Sequence, residues 1–171
     1  LNEKVTAGTD INIDAKGDVK QLTNETNLKA QNINIKVDGD LGTNEKALLV
    51  DASNEVNIEK ANNAYIEDND GDLKIGNISV TNEAILKADE NILNSEANSK
   101  ISGKDITLIS SNSDVGELNN GINAKAINKV NAEANNGSVY LSTDEKLNVG
   151  DIDAKNTVQI LSTSDVEIVD G

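Results

Sequence analysis

The chain has 171 residues and a formal net charge of −15, all 15 of its basic residues being Lys against 30 Asp and Glu. It has no Cys, Met, Trp, Phe, His, Pro or Arg, and its only aromatic residues are Tyr65 and Tyr140. Those absences exclude a thiol nucleophile, a Ser-His-Asp triad, a zinc site of the usual kind and a bidentate guanidinium fork, while the acidity disfavours nucleic acid and anionic lipid.

Ile, Val and Leu make up 45 of the 171 residues, above the roughly 20% below which disorder is expected. A core is therefore available, but one of branched and small side chains without rings. No run approaches the 18 apolar residues of a membrane-spanning helix. No export signal and no initiating Met are visible, so residues 1–171 read as a single segment excised from a longer repetitive chain.

In chain order one unit recurs seven times: an apolar residue, a small or apolar one two later, and an apolar–polar–apolar triplet five or six after the start. It runs Val5, Ala7 with Ile11-Asn12-Ile13; Leu28, Ala30 with Ile33-Asn34-Ile35; Val50, Ala52 with Val56-Asn57-Ile58; and Leu73, Ile75 with Ile78-Ser79-Val80. Then follow Ile101, Gly103 with Ile106-Thr107-Leu108; Ala124, Ala126 with Val130-Asn131-Ala132; and Ile152, Ala154 with Val158-Gln159-Ile160. Successive starts are 23, 22, 23, 28, 23 and 28 residues apart. The two longer spacings read as loop insertions, around Asn82–Asn98 and Glu133–Leu147, although both hold partial copies: Leu86, Ala88 with Ile92, and Val139, Leu141 with Leu147-Asn148-Val149.

Alternation with period two marks strands with one buried face. A further apolar position follows in each unit (Val19, Leu41, Ile66, Ile85, Val115, Val139, Val166), and turn chemistry lies between at Gly17-Asp18, Gly39-Asp40, Gly71-Asp72 and Asn135-Asn136-Gly137. Three short strands per 22–28 residues predict an all-β fold, a parallel β-helix (solenoid) of about seven coils. A long helix is disfavoured by the density of Asn, Asp and Thr, and an immunoglobulin-like sandwich would not keep one spacing over seven units.

Coils about 4.8 Å apart turn equivalent positions into columns. The first triplet position forms an inward column from Ile11 to Val158, and the second an outward one: Asn12, Asn34, Asn57, Ser79, Thr107, Asn131, Gln159. Every member of the outward column is uncharged, so stacking brings hydrogen bonds rather than repulsion.

The apolar-x-Ala-spacer-apolar-Asn-apolar unit, clearest at Val5–Ile13, Leu28–Ile35 and Val50–Ile58, resembles the repeat region of filamentous haemagglutinin-like exoproteins of the two-partner secretion route. The resemblance covers nearly the whole chain. It implies a right-handed β-helix fibre, secreted or held at a bacterial cell surface, that serves adhesion and virulence or carries a terminal tip outward. The partners it implies are a receptor or glycan on a host or neighbouring cell and the neighbouring coils of the same longer chain, with no nucleic acid and no membrane insertion.

The residues point the same way: a narrow repeated rod without a reactive side-chain set works by length and surface, and no enzyme activity, catalytic residue, metal or cofactor is expected. Two alternatives carry named residues. Asp151 with Asp153, or Asp68 with Asp70 and Asp72, would supply the paired carboxylates of a polysaccharide-degrading enzyme. The acidic turn Glu67-Asp68-Asn69-Asp70-Gly71-Asp72 would supply the oxygen ligands of a calcium-binding extracellular module, although its spacing fails the EF-hand pattern. Tyr65 and Tyr140 are candidate ligand contacts, and Tyr140, alternating with Val139 and Leu141, is expected to face outward.

Overall fold

The structure is a computed structural model that describes residues 3–25 and 28–170. Among them are fourteen strands and no helix: β1 (Val5–Thr6), β2 (Asp10–Ala15), β3 (Leu28–Val37), β4 (Leu48–Ala61), β5 (Ala64–Asp68), β6 (Leu73–Val80), β7 (Glu83–Ala88), β8 (Ile92–Asn94), β9 (Ile101–Ser110), β10 (Ile122–Ala134), β11 (Val139–Thr143), β12 (Leu147–Ala154), β13 (Val158–Ser162) and β14 (Val166–Ile168). Every strand pairing is parallel and joins one coil to the next, so the chain winds into a β-solenoid of about seven turns. At about 4.8 Å per coil the rod is roughly 34 Å long.

The core is a bundle of columns. One runs Ile13, Ile35, Ile58, Ile78, Ile101, Ala124. A second runs Val19, Leu41, Ala64, Ala84, Ile106, Val130, Val149, Ile168. A third runs Leu48, Ile66, Leu86, Leu108, Ala132, Ile152. Branched aliphatic residues suit these narrow columns, because each side chain stacks on its counterpart one coil away and leaves no room for a ring. Among the described residues, Val158, Val166 and Ile168 of the last coil stack on Val139, Leu147 and Val149 and are themselves exposed.

The columns correct the register read from the sequence. Ile11, Ile33 and Val56 do stack, but the next residue above them is Ile75, and Ile78 lies on Ile58. Ile101 then lies on Ile78, not on Leu73, and Ile152 lies on Ala132. Coils therefore span 18 to 24 residues, as Leu48–Ile66 and Leu108–Ala132 illustrate. The two 28-residue spacings do not exist as coils. Their supposed loop insertions are strands: β7 and β8 occupy the first and β11 the second. Ile85 sits beside Tyr65, out of the buried columns.

The reason is a longer repeat whose length is not a whole number of coils. Segments 28–80 and 101–154 carry the same devices. Gly42 and Gly116 have φ of 64° and 77° and each opens a tight turn, closed by Thr43 with Lys46 and by Glu117 with Asn120. Tyr65 and Tyr140 each donate their backbone N–H to the coil below, at Leu41 (2.8 Å) and Val115 (2.7 Å). Gly76 and Gly150 each form a β-bulge. Gly76 and Asn77 together face Asn57, and Gly150 and Asp151 together face Asn131. The copy of Leu28, Ile101, stands in the column of Ile35, seven residues into a coil of 22. The second copy is thus turned by about a third of a coil, and similar sequences face different directions.

Polar ladders hold the corners. Asp40 donates its N–H to Asp18 Oδ1 (3.1 Å), Asn63 donates N–H and Nδ2 to Asp40 Oδ1 (3.1 and 2.8 Å), and Glu83 donates its N–H to Asn63 Oδ1 (3.2 Å). The same staircase recurs through Asp72, Asn91, Asp114 and Ser138. Asx residues are favoured there because a short side-chain oxygen reaches a turn N–H that the coils themselves leave unpaired.

Candidate functional site

The outer surface of β2, β3, β4 and β6 holds a groove of about 620 Å³ lined by Asn12, Asn34, Asn57 and Asn77, with Asp14, Lys36 and Glu59 at its flank and Ile13 and Ile35 as its apolar part. Its spine is an amide ladder. Asn34 Nδ2 donates to Asn12 Oδ1 (3.0 Å), Asn57 Nδ2 donates to Asn34 Oδ1 (3.2 Å), and the Asn77 backbone N–H donates to Asn57 Oδ1 (2.8 Å). The outward column expected through Asn12, Asn34 and Asn57 is present. It then passes to Asn77 and not to Ser79, which pairs with Ser102. The Gly76 bulge makes this shift possible, since a Cβ there would lie 2.1 Å from Asn57 Oδ1. The sequence carries a signal for the bulge that composition alone hides: Leu73-Lys74-Ile75-Gly76-Asn77-Ile78 recurs as Leu147-Asn148-Val149-Gly150-Asp151-Ile152. Lys36 and Glu59 are ion-paired across the groove's edge.

The acidic turn is dispersed by the fold. Asp68 points inward: its residue is 5% exposed, it stacks on Ala88, and its Oδ1 accepts the N–H of Asp70 at 3.1 Å. Burial pushes its carboxyl from 3.8 up to about 6, and the neighbouring charges of Asp51, Asp70 and Asp72 add to the rise. Asp72 is engaged elsewhere, with Asn91, and Asp51 pairs with Lys29. Asp68, Asp70 and Asp72 do line one shallow groove with Lys29 and Lys74, but among the described residues no three acidic side chains converge as metal ligands do.

Asp151 and Asp153 lie two residues apart on the outer side of β12 and line a smaller groove with Thr107, Asn131 and Glu133. That groove is the rotated copy of the first one: Thr107, Asn131, Glu133 and Asp151 occupy the places of Asn34, Asn57, Glu59 and Asn77. Asp151 donates its backbone N–H to Asn131 Oδ1 at 2.9 Å, as Asn77 does to Asn57. Tyr65 and Tyr140 are half-buried on the outside of their strands, and the Tyr65 hydroxyl donates to Glu83 Oε2 at 3.0 Å. A separate cluster joins Glu145 to Lys100 (2.6 Å) and Lys125 (2.5 Å), whose ammonium groups hold its carboxyl below the usual range.

The fold and these surfaces define the chain as a parallel β-solenoid whose polar residues are organised in axial ladders. Compared with known proteins, it matches no family model, no curated protein and no solved structure.

Proposed function

We propose that the chain is a structural or adhesive shaft segment of a large, surface-exposed or secreted bacterial exoprotein. The observation that carries this reading is the continuity of the ladders. Inward aliphatic columns and outward Asx and amide columns run from coil to coil, so most side chains of the rod serve the stacking itself. Such a body holds whatever lies at its ends at a set distance, and it presents a long uniform surface. Its charge of −15 opposes lateral clumping of neighbouring rods. The partners that suit it are a receptor or glycan on a facing cell. The test is protease shaving and antibody labelling of intact cells that make the protein. Surface labelling that disappears on shaving is expected, and a chain found only inside unbroken cells would overturn the proposal.

A further inference from the structure

We infer that the groove along Asn12, Asn34 and Asn77 is a binding site for an extended, uncharged polysaccharide chain. The inference rests on the shaft reading above, because it assigns the ligand class to that shaft's outer surface.

The argument starts from what the ladder leaves unused. An amide has two N–H donors and two acceptor lone pairs. Asn34 spends one donor on Asn12 and one lone pair on Asn57, so one of each remains side by side. Asn12 spends only its carbonyl oxygen within the ladder. Asn77 contributes its backbone N–H, and its exposed side-chain amide makes no bond among the described residues. Asn57, by contrast, spends both donors, on Asn34 and on Glu55 Oε1 (2.7 Å). The fold thus presents paired donors and acceptors at Asn12, Asn34 and Asn77 along a concave strip, one coil and then two coils apart at about 4.8 Å per coil. A hydroxyl, which donates and accepts from one atom, matches each pair.

Charge and spacing then select among hydroxyl-bearing or amide-bearing chains. Lys36 is ion-paired with Glu59 at the edge and Asp14 lies beside them, so the groove is acidic on balance and an anionic chain finds no free counter-charge there. A peptide strand laid along the axis advances about 3.3 Å per residue and loses register with the coils within a few rungs. An extended β-linked pyranose chain advances by nearly one coil per sugar and keeps register. The recess itself is a built feature, since the Gly bulge that forms it recurs at Gly150. The second copy has lost the free amides: Thr107 replaces Asn34 and Asp151 replaces Asn77, with Asp153 added. It therefore serves as an internal control in the same molecule.

The test is a titration of the isotope-labelled 171-residue chain with cellohexaose, followed through the side-chain amide signals by NMR. Maltohexaose, which coils, a sulfated hexasaccharide and a neutral peptide are run in parallel. Shifts at Asn12, Asn34 and Asn77 with cellohexaose, at about millimolar affinity because no ring supports the sugar, are the expected result. They should weaken at least tenfold in Asn34→Val and remain in Asn54→Ala, which alters the neighbouring ladder of Asp10, Asn32 and Asn54. If Asn34→Val does not fold, Asn12→Ala at the ladder's exposed end takes its place. A silent titration, equal shifts with maltohexaose, sulfated sugar or peptide, or shifts centred on Asn131 would each overturn the inference. None of these outcomes depends on where a cell places the protein, so they are distinguishable from failure of the shaft reading.

Discussion

Replacing Asp68 by Asn should stabilise the solenoid at neutral pH and leave it unchanged in acid. Among the described residues, Asp68 is the one carboxylate turned into a core column, where it stacks on Ala88 below Ser110 and Ala134. A rise from 3.8 to about 6 corresponds to about 3 kcal/mol of penalty on the charged form. Water reaching the groove beside Asp70 and Gly71 screens part of this, leaving about 1–2 kcal/mol. The sign follows from linkage. The folded state holds the proton more tightly than the unfolded one, so stability falls as pH rises from about 4 to about 6 and is level beyond. Asp68→Asn removes the ionisation while its oxygen can still accept the Asp70 N–H. Urea unfolding at pH 7 should therefore favour the variant by about 1–2 kcal/mol, with the gap closing below pH 4. Asp70→Asn, the same charge change at an exposed position, should shift stability by less than about 0.5 kcal/mol. A gap that is absent, reversed or independent of pH would refute the placement of Asp68 in the core.

The other predictions concern the stacking. Gly76→Ala and Gly150→Ala put a Cβ 2.1 and 2.2 Å from the ladder oxygens of Asn57 and Asn131; each should cost about 1–3 kcal/mol, and Asn57→Ala should recover part of the first loss in a double-mutant cycle. Gly116→Ala forces a Cβ to 2.3 Å from the Tyr140 carbonyl at φ 77°, and a drop of more than about 1 kcal/mol by thermal melting is expected. Ile58→Ala empties a fully buried place between Ile35 and Ile78 and should cost about 2–5 kcal/mol. Calcium added to the wild type should leave the melting temperature unmoved, because Asp68 and Asp72 are directed to different partners; a rise would show that the turn rearranges around the ion.

Fold class was legible because period-two alternation survives in every coil: Ile33-Asn34-Ile35 and Val56-Asn57-Ile58 read as strands and are strands. The turn dipeptides Gly17-Asp18, Gly39-Asp40 and Gly71-Asp72 also fall at corners, where the Asp oxygens accept N–H groups from the next coil. Of the candidate site residues, Asp151 and Asp153 lie together on one outer surface, while Asp68, grouped in the sequence with the acidic turn that follows it, is turned into the core. Its position directly after Ile66 and Glu67 continues the alternation inward, a signal outweighed in the sequence by the acidic neighbours that follow it.

Composition and local alternation act over a few residues, and over that range they decide the outcome: a ring-free aliphatic chain of alternating triplets can bury itself only as stacked short strands. Which triplet stacks on which is a different question. Leu73 and Ile101 begin similar words in the chain, yet Ile101 settles on Ile78, because a coil closes when its backbone meets the edge below and not when the wording repeats. The bulges at Gly76 and Gly150 and the turns at Gly42 and Gly116 set that closure. The amide groove and the burial of Asp68 follow from it, since both depend on which residues the winding brings side by side.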